Sequence, residues 1–299
     1  MVNNTVYVIA GPTAVGKTRI AIDLAKRLDT EIISADSRQC YKEMTIGTAK
    51  PTSEELHEVH HYFIDEFPVT TSLTAADFEK LALGYLEKIF SSKNVAVVCG
   101  GTGLYIKALC EGLDDMPEID EEIAKQVNDR YKEKGIVWLQ EALEKGDPLF
   151  YEQGENKNPA RMIRALIFVR STGESIVNYQ TGKKKQRPFR IIKIGLELPR
   201  DILYERINKR VDAMMQQGLR EEVAALYVQK NLKNLDTVGY KELFQYFDGI
   251  DSLEDAVVKI KQHTRNYAKR QMTWFKKDKE MHWLRADDVD VVEKILAIK

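Results

Sequence analysis

The octet Gly11-Pro12-Thr13-Ala14-Val15-Gly16-Lys17-Thr18 limits what this chain can become more than any other stretch. It fits G-x-x-x-x-G-K-[ST], the pattern of a loop that wraps a phosphate chain. Its flanks are of the kind such a loop needs. Thr5-Val6-Tyr7-Val8-Ile9-Ala10 is a short β-branched, apolar run that reads as a buried parallel strand. Ile20, Ala21, Leu24, Ala25 and Leu28 recur at the spacing of one helix face. Strand, loop and helix N-terminus together aim backbone N–H groups and a positive helix dipole at an anion. Gly11 and Gly16 allow the tight path. Lys17 adds a point charge, and the Thr18 hydroxyl can hold Mg²⁺. The fold expected is α/β, a P-loop parallel sheet flanked by helices. A nucleotide such as ATP is one occupant of such a loop, but the octet specifies only a phosphate chain.

Bulk composition narrows the partners. A chain of 299 residues is enough for one large domain or two smaller ones. With 43% hydrophobic and 30% charged residues it has the balance of a soluble globular protein. The formal net charge of -1 means that any nucleic-acid contact must come from local clusters. Cys40, Cys99 and Cys110 include no C-x-x-C pair, which argues against a disulfide framework or zinc site and for a reducing compartment. No run reaches the roughly 18 apolar residues of a membrane span. Met1 to Ala10 lacks the basic flank of a secretory signal, so a cytoplasmic protein with no membrane partner is expected.

Along the chain, Glu31-Ile32-Ile33-Ser34-Ala35 reads as a second strand running into Asp36-Ser37-Arg38-Gln39-Cys40-Tyr41. Ile46-Gly47-Thr48-Ala49-Lys50-Pro51 follows as a polar loop. A strand ending in Asp-Ser beside the P-loop strand puts a carboxylate at the sheet's carboxyl edge, where open α/β sheets bind ligands. A helix cap is the other reading of Asp36. His57, His60 and His61 could hold a metal, but no carboxylate motif frames them, and a polar helix end accounts for them better. Thr74 to Phe90 predicts a helix with Thr74 as N-cap and Asp77 three residues on. Val95-Ala96-Val97-Val98-Cys99 is a third buried strand. It ends in Gly100-Gly101-Thr102-Gly103-Leu104-Tyr105, so rich in glycine that something must approach its backbone closely.

Composition then shifts. Glu111 to Glu122 carries seven acids and no base, and from Ile119 to about Gln180 the apolar spacing is helical throughout. The expected organisation is a catalytic core of residues 1–112 and 190–299 with an inserted helical subdomain at 113–189. A basic tract, Lys183, Lys184, Lys185, Arg187 and Arg190, closes the insertion. Arg190 to Leu198 alternates around Ile192, Ile194 and Leu196 as a strand returning to the sheet. Asp201 is expected to cap a helix to Met215 that Gly218 ends. Glu221 to Gln229 forms another helix, and Thr237-Val238-Gly239-Tyr240-Lys241 enters a third. The last long helix runs from about Leu253 to Lys277, with Arg265, Lys269 and Lys276 on one face and Ala268, Met272 and Phe275 on the other. Lys259 to Lys279 holds eight bases and one acid, a local charge of +7. Such a run is usually a solvated face; Tyr267, Trp274 and Phe275 beside it make nucleic acid a competing reading.

Taken together, the P-loop octet, Asp36-Ser37-Arg38-Gln39-Cys40-Tyr41, Ile46-Gly47-Thr48-Ala49-Lys50-Pro51, Gly100-Gly101-Thr102-Gly103-Leu104-Tyr105, Val238-Gly239-Tyr240-Lys241 and Thr264-Arg265-Asn266-Tyr267-Ala268-Lys269-Arg270-Gln271 resemble the tRNA dimethylallyltransferases, also called tRNA isopentenyltransferases. The series stands in family order from residue 11 to 271. Two features depart from or divide the family. Its usual Pro-Gln-Arg is here Pro159-Ala160-Arg161, with Arg164 retained, and no Cys/His tail follows, so the likeness is to the bacterial type.

The resemblance implies transfer of a dimethylallyl group from dimethylallyl diphosphate to the exocyclic N6 of an adenosine next to the tRNA anticodon, releasing diphosphate. It implies Mg²⁺ as cofactor, tRNA bound through its anticodon stem-loop, and action as a monomer. Under it the P-loop and Arg210 hold the diphosphate, with Thr18 toward the metal. Asp36 accepts the proton of the attacking nitrogen, with Lys17 and Thr102 as further catalytic groups. Asp36, Ser37, Arg38, Gln39 and Thr102 hold the flipped base and its neighbours. Arg161, Arg164, Gly239, Tyr240, Lys241, Arg265, Lys269 and Arg270 contact the tRNA.

Two rival functions would use the same residues. A nucleoside or small-metabolite kinase would let Asp36 deprotonate a hydroxyl, but it needs neither the helical insertion nor the basic, aromatic last helix. A GTPase-like RNA switch would need a guanine-reading N-K-x-D, which does not follow the P-loop.

Overall fold

The β-branched runs become strands of one sheet. The structure, a computed structural model, describes residues 4–153 and 157–298. The strands are β1 (Thr5–Ala10), β2 (Ile32–Ser34), β3 (His61–Tyr62), β4 (Val95–Gly100), β5 (Arg190–Glu197) and β6 (His282–Arg285). They lie in the order β3-β2-β4-β1-β5-β6, and every pair is parallel. Parallel neighbours need crossovers, and helices supply them: α1 (Lys17–Arg27), α2 (Ser53–Glu58), α3 (Ala75–Phe90) and α4 (Gly103–Glu111) precede residue 112. Alternate residues of β1 feed two apolar layers. Val6, Val8 and Ala10 join Phe78, Ala82 and Leu86 of α3, while Ile9 joins Ile20, Ala21 and Leu24 of α1. The start of α3 is the expected capping box: Thr74 Oγ1 accepts from Asp77 N (3.1 Å) and Asp77 Oδ2 accepts from Thr74 N (2.8 Å).

The register decides where the loops emerge. Ala10 lies opposite both Gly100 and Gly195, and Ser34 lies opposite Cys99. The P-loop, Asp36 and the glycine-rich turn therefore leave the sheet at one edge. The close approach that the glycines require comes from the chain's own elements. A Cβ added at Gly100 would fall 2.2 Å from the Ala35 carbonyl oxygen, and one at Gly103 2.2 Å from the Trp274 indole.

Residues 112–185 form a second compact unit. It holds α5 (Glu121–Gly146), which kinks at Gly135 (φ 72), then α6 (Pro148–Gln153) and α7 (Pro159–Thr172). Its core includes Val127, Leu139, Leu143, Phe150, Met162 and Leu166. Asn158 caps α7 by accepting from Ala160 N (3.1 Å) and Arg161 N (3.4 Å), Pro159 opens the helix, and Gly173 (φ 77) closes it. Arg161 and Arg164 are exposed on α7.

The return leg adds α8 (Arg200–Gln216), α9 (Leu219–Ala225), α10 (Tyr240–Phe247), α11 (Leu253–Phe275) and α12 (Val291–Leu296). Asp201 is not the cap of α8. The helix starts at Arg200 after Pro199, and Asp201 lies in its first turn, where a carboxylate still favours the dipole. The helix expected over 221–229 starts two residues earlier and breaks after Ala225 into a 3-10 turn, Tyr227–Gln229. On α11 the buried stripe is Ala268, Gln271 and Phe275, and Met272 is only half-buried. The basic tract is not a row of free charges. The Arg187 side chain is largely covered, donating to Glu79 (2.6 Å) and to the carbonyls of Ala108 and Leu109, and Lys185 pairs with Asp115 (2.9 Å). None of the described helices is long and apolar enough to cross a membrane.

Candidate active site

The P-loop takes its shape from two left-handed glycines. Gly11 (φ 154) passes so close to β5 that a Cβ would lie 2.7 Å from the Leu196 carbonyl oxygen, and Gly16 (φ 109) turns the chain into α1. Lys17, the first residue of α1, folds Nζ back onto the carbonyls of Gly11 (3.1 Å) and Pro12 (2.8 Å). The Thr18 hydroxyl bonds no other described side chain or backbone group and lies on a cleft of about 520 Å³. Lys17, Asp36, Ser37 and Arg38 line the same cleft, and so do Arg210 from α8, Gly239 and Lys241, and Tyr267 and Arg270 from α11. Burial pulls the Lys17 ammonium down to about 8, against the upward pull of the Asp36 carboxylate. Burial likewise pushes the Cys99 thiol up to about 12, so it stays protonated beside Lys17.

Asp36 does both things that its position allows. Oδ1 accepts from the backbone N–H groups of Arg38 (2.9 Å) and Gln39 (3.4 Å), closing the turn as a cap would. Oδ2 takes no part in that turn, and the residue lines the cleft. Thr102 stands behind the turn. Its Oγ1 accepts from Ser37 N (3.0 Å) and donates to Ser37 Oγ (3.3 Å). Gln39 is committed within the protein: Oε1 accepts from the Ser34 hydroxyl (3.2 Å), and Nε2 donates to the carbonyls of Thr48 (3.2 Å) and Ala49 (3.1 Å). Thr102 and Gln39 thus shape the loop that presents Asp36, Ser37 and Arg38.

Other expected contacts divide between the cleft and the scaffold. Tyr240 is fully buried and donates to Glu222 (2.7 Å). Arg265 donates to Asn208 (2.7 Å) and lies over the Tyr204 ring. Lys269 is exposed outside the cleft wall. Sequence reasoning missed Gln271. Its Oε1 accepts from Thr13 N (2.8 Å), and its Nε2 donates to the Gly101 carbonyl (2.9 Å), so it ties the P-loop to the glycine-rich turn. One of the N–H groups expected to face phosphate, that of Thr13, is therefore engaged by α11. The signal was a polar residue three positions after Ala268 on the buried face of the helix. Arg206 was also missed; one turn before Arg210, it donates to the Val15 carbonyl at 3.3 Å. Of the clustered histidines, His57 and His61 bond backbone, with His61 Nδ1 meeting the Val59 carbonyl at 2.8 Å, and His60 packs edge-on against the Tyr62 ring. The acids Glu111, Asp278 and Glu280 close on the Lys193 ammonium at 3.4, 2.8 and 2.9 Å.

Comparison with known proteins follows the same lines. Residues 39–278 match the model of the IPP transferase family. A tRNA dimethylallyltransferase of Christiangramia forsetii is 49% identical over 286 residues, 96% of this chain and 95% of that protein. The full-length tRNA isopentenylpyrophosphate transferase of Bacillus halodurans is similar in structure, with a TM-score of 0.71 at 38% identity over 98% of this chain and 93% of the other. A eukaryotic dimethylallyltransferase acting on tRNA superposes with a TM-score of 0.79 at 25% identity, over 99% of this chain and 78% of the other.

The lowered Lys17 ammonium carries a pH signature. An anion attracts the protonated form, so binding raises its pKa and takes up a proton wherever the free protein has lost one. Below about pH 8 the affinity for inorganic diphosphate should not vary through Lys17; above it, affinity should fall by up to about tenfold per pH unit. Calorimetry in buffers of different ionisation heat checks this. Proton uptake on binding near pH 9 is the expected result.

Proposed function

We infer, because the chain belongs to the IPP transferase family, that it acts as a tRNA dimethylallyltransferase, moving a dimethylallyl group from its diphosphate to the N6 amine of an adenosine next to the anticodon. The observation that carries this reading is one cleft with an anion holder, the P-loop with Lys17, and a carboxylate, Asp36, on its walls. Family membership does not favour the kinase alternative.

The chain's own residues would share the work as follows. The N–H groups of the P-loop after Thr13, together with Lys17 and Arg210, would take the charge that grows on the diphosphate as its bond to the allylic carbon breaks. As the new N–C bond forms, the amine must lose a proton, and Asp36 Oδ2 would accept it. Thr102 would hold the Asp36 turn through Ser37 without reaching the base. Ser37, Arg38, Lys241 and Arg270 line the cleft and would meet the extruded nucleotide and its neighbours. Thr18 lines the cleft and its hydroxyl is a hard oxygen donor, which suits Mg²⁺ bound mainly through substrate phosphate. When bound, the ion would supply further positive charge to the leaving group. The helical unit would add phosphate contacts through Arg161 and Arg164, three apart on α7.

Incubation with labelled dimethylallyl diphosphate and bulk tRNA tests the reaction. Label should enter tRNA, and ATP should not be consumed. Asp36→Asn keeps the cap but removes the basic charge, so kcat should fall about 10²–10⁴-fold, the usual weight of general-base catalysis, with the melting temperature unchanged. A wild-type single-turnover rate in that variant would remove Asp36 from the proton transfer. Replacing both Arg161 and Arg164 by Ala should lower the salt slope of tRNA binding by about two, one per phosphate contact. The same slope as wild type would give the helical unit another role.

A further inference from the structure

The polar loop after Met44 owes its shape to a carboxylate from another element. Thr45, Ile46 and Gly47 turn three consecutive backbone N–H groups onto Glu222 of α9. Oε2 accepts from Thr45 (3.0 Å) and Ile46 (2.7 Å), and Oε1 accepts from Gly47 (3.0 Å). Converging N–H groups of this kind form an anion-binding nest; here the anion is a side chain of the protein itself. The Tyr240 hydroxyl adds a fourth donor, to Oε1 at 2.7 Å. The Tyr240 ring is fully buried and lies so close to Gly47 that a Cβ there would come 2.5 Å from Cε2. Glu222 and Tyr240 thus hold residues 45–47 from one side. Gln39 holds the carbonyls of Thr48 and Ala49 from the other. Gly47, Thr48 and Ala49 wall the cleft, and the backbone N–H of Gln39 is bound by Asp36. A displacement of the wall therefore reaches the Asp36 carboxylate through a single residue.

We propose that Glu222 is a positioning residue for prenyl transfer: it fixes the Gly47–Ala49 wall and, through Gln39, the angle at which Asp36 meets the acceptor nitrogen. The proposal rests on the function inferred above. The chemistry calls for a carboxylate. Both its oxygens accept, whereas an amide has one accepting oxygen and would set its NH₂ against a backbone N–H, donor facing donor. The consequence is kinetic, since a reacting group misplaced by about 1 Å can cost about 10²-fold in rate.

The test is the single-turnover rate constant for prenylation of tRNA, measured for wild type, Glu222→Gln and Glu222→Ala with and without formate. A rate constant does not depend on the fraction of folded enzyme, whereas the amplitude does. A merely structural role would lower only the amplitude. The expected result is a rate constant about 10²-fold lower in Glu222→Ala and a smaller loss in Glu222→Gln. The KM for dimethylallyl diphosphate should hold, because the P-loop is untouched. Formate should restore much of the Ala variant's rate constant by occupying the bare nest. A rate constant within about twofold of wild type in Glu222→Ala, or a loss confined to KM, overturns the proposal. Should the Ala variant fail to fold, Glu222→Gln decides by the same quantity: a loss of about tenfold or more supports the proposal, and a wild-type value overturns it. If the wild-type protein itself transfers no prenyl group, the functional reading fails; if only the variants behave like wild type, the positioning role alone fails.

Discussion

The register of the parallel ladder around β1 is the constraint on which the rest depends. Ala10 must stand level with Gly100 on one side and Gly195 on the other for three loops to meet at one edge. A slip of one residue would exchange side chains between the two apolar layers, sending Ile9 to the α3 side and Val8 to the α1 side, and so would cost the close packing of both. The sheet can hold this register only because its edge is lined with glycine: at Gly100 the Ala35 carbonyl, and at Gly11 the Leu196 carbonyl, occupy the space that a Cβ would need. The cleft's chemistry is thus a consequence of close backbone packing, made before any ligand is considered.

Around that edge the protein uses side-chain amides and carboxylates as struts. Gln271 spans from the P-loop to the glycine-rich turn, Gln39 from the Asp36 turn to the Thr48–Ala49 wall, and Glu222 from α9 to the nest at 45–47. Each has polar atoms engaged at two or more points, so each fixes a distance between loops that the sheet alone leaves free. Functional geometry of this kind needs supporting bonds of good length, since unsupported loops would let the reacting groups drift.

Much of the fold was legible in local pattern. Three strands, β1, β2 and β4, stand out because burial on both faces demands unbroken apolar, β-branched runs, and β5 stands out by its alternation around Ile192, Ile194 and Leu196. The α3 capping box is spelled by Thr74-Ala75-Ala76-Asp77. The strands β3 and β6 were not legible: His61–Tyr62 and His282–Arg285 carry polar or charged residues and no unbroken apolar run, unlike the three buried residues of β2. In the site, the P-loop and Asp36 could be read because their chemistry is local. Gln271 showed only as a polar residue on the buried face of α11, with nothing to name its partner, and Glu222 not at all, because their partners lie 258 and about 176 positions away. Tyr240 and Arg265 were expected at the tRNA; their contacts with Glu222, and with Asn208 and Tyr204, were not legible, because those partners lie on other helices.

The central claim is that a P-loop serves here to hold a departing diphosphate and to stabilise the charge it gains. The measurement that meets this most directly is single-turnover transfer from labelled dimethylallyl diphosphate to tRNA by Lys17→Ala at saturating substrates. Removing one charge-assisted donor that strengthens in the transition state should slow the step about 10²–10³-fold. A Lys17→Ala protein that transfers the group at the wild-type rate would contradict the account.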